Sequence, residues 1–169
     1  MQDFGKQGKA TIARHPIHPM LVAFPIGFFV GSIACDIIYG ATQTPFWYFM
    51  ATWLIAFGVI GGLLAALSGF TDYFTARFTA VAKRTATLHL LVNLGLVVLY
   101  IVNFFLRLHN PGLTTGYLLS IIGLAALLYS GWLGGELVYV DHIGVSPAAA
   151  APEAIGQAPP AEERQRPAA

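Results

Sequence analysis

Seven side chains able to bind a metal or move a proton stand at or just beyond the ends of long apolar runs: His15, His18, Asp72, His89, Glu136, Asp141 and His142. Imidazoles and carboxylates held at one level can ligate a transition metal, bracket a haem iron or relay protons. His15 and His18 fall within His15-Pro16-Ile17-His18-Pro19, which lacks the i, i+4 register of a helical zinc motif, and its prolines predict an extended lead into the first helix. His89 differs because it heads a stripe of Asn93, Tyr100, Asn103 and Arg107 at spacings of 4, 7, 3 and 4, one side of a helix.

That pattern selects His18 and His89 as ligands of a haem b in a small redox-associated subunit, with Asn93 and Tyr100 as hydrogen-bonding supports and Glu136 adjusting the local charge. Read instead as a bare metal site, the set is His18, His89, Asp72, Glu136 and His142. Two other readings use the same residues. One is a proton or metal-ion path through Asp72, His89 and Glu136 along the stripe. The other is a ligand-free structural or assembly protein, in which the stripe only joins helices by hydrogen bonds and the edge residues stay hydrated. No catalytic residue is assigned, since no nucleophile has an adjacent base and there is no Gly-rich phosphate loop.

The elements that must position these groups are membrane spans. Ile37 to Thr71, Leu90 to Leu106 and Leu113 to Gly135 contain no Asp, Glu, Lys, Arg or His. About 20 mostly apolar residues cross the roughly 30 Å hydrocarbon layer. The expected spans are Met20 to Tyr39, Phe46 to Phe70, Leu88 to Leu106 and Leu113 to Val138, the first of them uncleaved. The fold class is therefore all-α: an integral membrane four-helix bundle over residues 15–145, with a polar lead at 1–14 and a disordered cytoplasmic tail at 146–169, which is rich in Ala, Pro, Glu and Arg. With 56% hydrophobic and 10% charged residues the chain lies outside the soluble range, and a net charge of +1 offers no basic field for nucleic acid. Cys35 is the only cysteine, so no intrachain disulfide exists.

Lys6, Lys9, Arg14, Arg77, Lys83 and Arg84 flank one side of these spans and only Arg107 the other. The positive-inside rule then puts both termini in the cytoplasm of an inner-membrane, multi-pass protein. Trp47, Tyr48, Trp53 and Tyr117 are expected at the opposite headgroup zone. Besides the lipid bilayer, a respiratory or redox partner and self-association are the contacts such a subunit would make.

Small residues at four-residue spacing predict close helix packing through Gly27 and Gly31, through Gly58, Gly62 and Ala66 with Gly61, Ala65 and Gly69 beside them, and through Gly131 and Gly135, with span two the most enclosed. Asp36 and Arg107 lie about 24 and 28 Å along their spans, which predicts an ion pair or an Asp36–Asn103 hydrogen bond.

Two stretches, Arg14-His15-Pro16-Ile17-His18-Pro19-Met20-Leu21-Val22-Ala23-Phe24-Pro25-Ile26 and Gly131-Trp132-Leu133-Gly134-Gly135-Glu136-Leu137-Val138-Tyr139, resemble a bacterial family of four-span membrane proteins catalogued as a domain of unknown function. The likeness covers about Arg14 to Val145. It implies the four-span fold and a membrane location, and carries no activity with it.

Overall fold

The computed structural model describes residues 8–13, 15–110 and 114–145. Four helices dominate: α1 (Ile17–Thr42), α2 (Pro45–Thr75), α3 (Ala80–His109) and α4 (Thr114–Tyr139). All four are long and apolar enough to cross a bilayer. Their outward side chains confirm the solvent they are built for: Trp132 is 73% exposed, Leu128 68% and Ile37 68%. Apolar surface on that scale is tolerated against lipid and not against water.

Short links force antiparallel neighbours. Only Gln43 and Thr44 join α1 to α2, with Gln43 in the left-handed conformation at φ 54° and Pro45 filling the first turn of α2, where a missing N–H costs nothing. Ala76 to Thr79 join α2 to α3, and the Thr79 hydroxyl caps α3 by accepting from the Ala82 N–H. The helices pack in a ring, α1 on α2, α2 on α3, α3 on α4 and α4 back on α1.

Three expected boundaries shift. Helix α3 begins eight residues before Leu88, because the Thr79 cap and the helix-forming Ala80 to Thr87 segment extend it beyond the apolar run; hydropathy marks the bilayer, not the helix end. Helix α2 likewise runs on to Thr75. Before α1, Thr11–Ile12 (β1) pairs antiparallel with His15–Pro16 (β2), and the helix starts at Ile17. The extended lead therefore stops at Pro16, and His18 belongs to the first helical turn. Of the polar lead, residues 1–7 and 14 lie outside the described residues, as do residues 111–113 and the tail from 146 onward.

The core is one layer at mid-bundle. Phe29 of α1 stacks on Tyr100 of α3 with ring centroids 3.7 Å apart and planes 5° from parallel, between Ile55 and Leu96. A glycine backs each ring. A Cβ at Gly58 of α2 would overlap the Phe29 ring, and one at Gly123 of α4 would come within 2.6 Å of the Tyr100 ring. All four helices thus meet through one aromatic pair.

The packing stripes are partly those expected. In α2, Gly61 rests on Pro25, Gly62 contacts Val97 and Pro25, and Gly69 contacts His18. Span two is no more enclosed than span one, however, because its glycines turn towards α1 and the two helices shield each other equally. Added Cβ atoms at Gly27 and Gly131 would meet nothing within 4 Å, and one at Gly135 would meet only Tyr139 of its own helix. Those positions lie on the outer surface.

Candidate functional site

Two polar clusters stand on either side of the Phe29–Tyr100 layer. The first is a buried ion pair near the α1–α2 turn. Arg107 donates from Nη1 to Asp36 Oδ1 at 2.7 Å and from Nη2 to Asp36 Oδ2, a bidentate pair with both side chains at most 4% exposed. It makes further bonds: Nε reaches Asn103 Oδ1 at 3.1 Å, and Nη2 reaches the Gly116 carbonyl and Ser120 Oγ, each at 3.2 Å. Asn103 Nδ2 in turn donates to Ser120 Oγ at 2.9 Å. From α2 the Tyr48 hydroxyl donates to the Arg107 carbonyl at 2.9 Å. The expected ion pair thus forms, with Asn103 bridging to Arg107 and not to Asp36. Tyr48 is buried, 5% exposed, near the start of α2.

All three nitrogens of the guanidinium are engaged and Asp36 neutralises its charge, so the arrangement serves to join helices.

The second place is built around His18 and His89. Their ring centroids are 6.3 Å apart and their planes stand at 89°. Each ring is tied to a neighbouring helix through Nδ1: His18 to the Ala65 carbonyl of α2 at 2.8 Å, and His89 to the Ser130 carbonyl of α4 at 3.0 Å. A ring nitrogen facing a carbonyl oxygen carries the hydrogen, so in a neutral imidazole the lone pair is on Nε2, for both rings. Glycines make room for them: a Cβ at Gly69 would lie 3.0 Å from the His18 ring and one at Gly134 3.3 Å from the His89 ring. The Gly134 step of the closing motif thereby has a packing reason.

Asn93 stands one turn from His89 on α3. Its Nδ2 lies 2.6 Å from Ser130 Oγ, 2.8 Å from the His89 carbonyl and 3.2 Å from His89 Nε2. With two other acceptors in reach, this amide can leave Nε2 without being stranded.

The other expected site residues go elsewhere. Tyr100 joins the core stack, and its hydroxyl points to the Ser120 carbonyl at 3.5 Å, about 16 Å along the helix from His89. Asp72 Oδ1 accepts the Ala10 N–H at 3.1 Å and so anchors the N-terminal hairpin. Glu136 and His142 are exposed, as is His15, whose Nδ1 turns to the Ala13 carbonyl at 3.0 Å. Among the described residues no three His, Cys, Asp or Glu side chains come together as a metal site. The five-residue metal set is therefore not assembled; a pair of imidazoles is.

Ser120 and Ser130 were missed by sequence reasoning. The signal was present: Gly116, Ser120, Gly123, Leu127, Ser130 and Gly134 recur at alternating spacings of 4 and 3, the inward stripe of α4, with Leu127 and Gly134 half-buried.

No curated protein and no solved structure matches the chain. One family does, described as "Predicted membrane protein (DUF2231)", over residues 14–147, a span that holds both polar clusters and all four helices. With most of its length matched and its fold made of four membrane-length helices, the chain belongs to that family of membrane proteins.

Proposed function

We propose that this protein binds a haem through His18 and His89 and serves as a small one-electron subunit of a membrane redox system. The observation that carries the reading is the geometry of the two rings. Two imidazoles can hold one ion between them, each by a metal–N bond of about 2.0–2.1 Å, only where their rings stand within a few ångströms of a common point. The observed separation of the centroids is 6.3 Å. Both rings also have Nδ1 hydrogen-bonded to a carbonyl, the usual support that orients a metal-bound histidine and raises its basicity.

The donor set favours haem over a bare ion. Two imidazoles leave a zinc or copper(II) site short of ligands, whereas a haem iron brings four equatorial nitrogens of its own. When bound, that iron supplies a one-electron couple whose potential depends on its axial ligands and their surroundings. The residues' part is to present Nε2 atoms at fixed depth, to clear His89 by the shift of Asn93, and to exclude water with the spans around them. Ion conduction along the α3 stripe is the weaker reading, because Leu96 and the Phe29–Tyr100 stack put an apolar layer between the two polar clusters.

The test is the absorbance spectrum of the protein purified from haem-supplied cells. One haem per chain with a Soret band is expected, along with a low-spin ferric EPR signal. His18→Ala and His89→Ala should each lose the six-coordinate species. His109→Ala should not, since that ring is exposed and tied to the Phe105 carbonyl of its own helix. A wild-type protein that purifies colourless and takes up no added haemin overturns the reading.

The orientation belongs to the same proposal. Arg107 is neutralised by Asp36, so among the described residues the side bearing the α1–α2 turn has no unpaired Lys or Arg at the spans' ends. Reporter fusions after Ala169 and within the link following Thr42 are expected to lie on opposite sides of the inner membrane, with Ala169 cytoplasmic. Both reporters on one side would mean that a span or its boundary is misplaced.

A further inference from the structure

Beside the ion pair, α1 and α4 part to leave a cleft of about 200 Å³. Its walls are Ile33, Ile37 and Gly40 from α1 and Tyr117 and Ile121 from α4, with Asp36 and Ser120 at its floor. We infer that this cleft holds a segment of an acyl chain from a bilayer phospholipid, which seals the Asp36–Arg107 pair on its membrane side. The inference does not depend on the histidine pair.

Three observations lead there. The cleft opens sideways into the membrane, because Ile37 and Ile121 at its lips are lipid-facing, 68% and 59% exposed. Water gains little in it: the surface exposed to the cleft is almost wholly apolar, with Asp36 turned to Arg107 and Ser120 Oγ to Asn103 and Arg107, whereas an ordered water needs at least two polar partners. The space suffices for hydrocarbon, since an apolar cavity of about 150 Å³ takes up a benzene-sized guest. Gly40 keeps the entrance open, with nothing within 4 Å of the Cβ it lacks.

The experiment reconstitutes the full chain in phosphatidylcholine vesicles containing a trace of phosphatidylcholine with a photoreactive diazirine in one acyl chain, and maps the adducts after illumination. The wild type is expected to be labelled at Ile37, Tyr117 and Ile121 several-fold above the equally lipid-exposed Trp132. Gly40→Phe, whose ring enters open space, should abolish that excess and leave Trp132 labelling unchanged. Ile121→Ala, which widens the cleft, should retain it. Labelling at the cleft no greater than at Trp132, or an excess indifferent to Gly40→Phe, overturns the inference. Chain-to-chain adducts at Tyr117 in place of lipid adducts also overturn it and give the cleft to a second copy.

Discussion

Arg107→Ala is expected to destabilise the detergent-solubilised protein by about 3–5 kcal/mol, because it strands the Asp36 carboxylate in a site closed to water. Asp36→Ala should cost a similar amount by stranding the guanidinium. The pair's own net value is a separate matter. An apolar replacement of both partners, Asp36→Leu with Arg107→Met, is expected to recover most of the loss, since desolvation of two charges offsets much of their attraction. Arg107→Lys should fall between, for an ammonium cannot reproduce the bidentate fork or reach Asn103, Gly116 and Ser120 together. Thermal melts of these four variants in one detergent provide the check. Singles that melt within a degree or two of wild type would show that water reaches the pair and that the four-helix staple is not structural.

Those two residues also show where sequence reading succeeds. Matching depth along two spans was enough to narrow the partner of Asp36 to Arg107 or Asn103, because a bilayer makes unpaired charge so costly that few arrangements survive. The span count was legible for the same reason. What the sequence withheld was the direction in which small and polar residues face. Gly27, Gly31, Gly131 and Gly135 have the spacing of a packing stripe, yet most of them face outward, whereas Gly116 and Gly123 sit against Arg107 and Tyr100. Spacing defines a face without saying which face is inside.

The histidine pair was half legible. His89 stood out as the head of a polar stripe, and His18 was named with it, but their orientation rests on carbonyls of Ala65 and Ser130, which no side-chain pattern reveals. Tyr100 shared the stripe and went to the core instead, because a helix carries a polar face through successive layers of the bundle and each layer has its own neighbours. The metal set failed on the same ground: Asp72, Glu136 and His142 share a level with the pair, but a common level is a ring around the bundle, and side chains on its rim need not converge.

The mid-bundle layer carries the other large expectation. Gly58→Ala and Gly123→Ala each add one methyl group where a ring already stands, Phe29 in the first case and Tyr100 in the second. The two rings are stacked against each other, so neither can retreat without displacing its partner and the helix behind it. Overpacking of this kind typically costs about 1–3 kcal/mol. The same change at Gly27 or Gly131 meets open space, and there the better helix propensity of alanine should add up to about 1 kcal/mol. The four substitutions are chemically identical and differ only in what stands opposite. A melting series is therefore expected to split them into two destabilised and two neutral or improved proteins. Phe29→Leu placed in the Gly58→Ala background relieves the clash and should restore part of the loss, although the same exchange alone destabilises by thinning the stack. Four equal melting temperatures would mean that the helices slide freely past the aromatic pair, and the layer that separates the two polar clusters would then have no fixed structure.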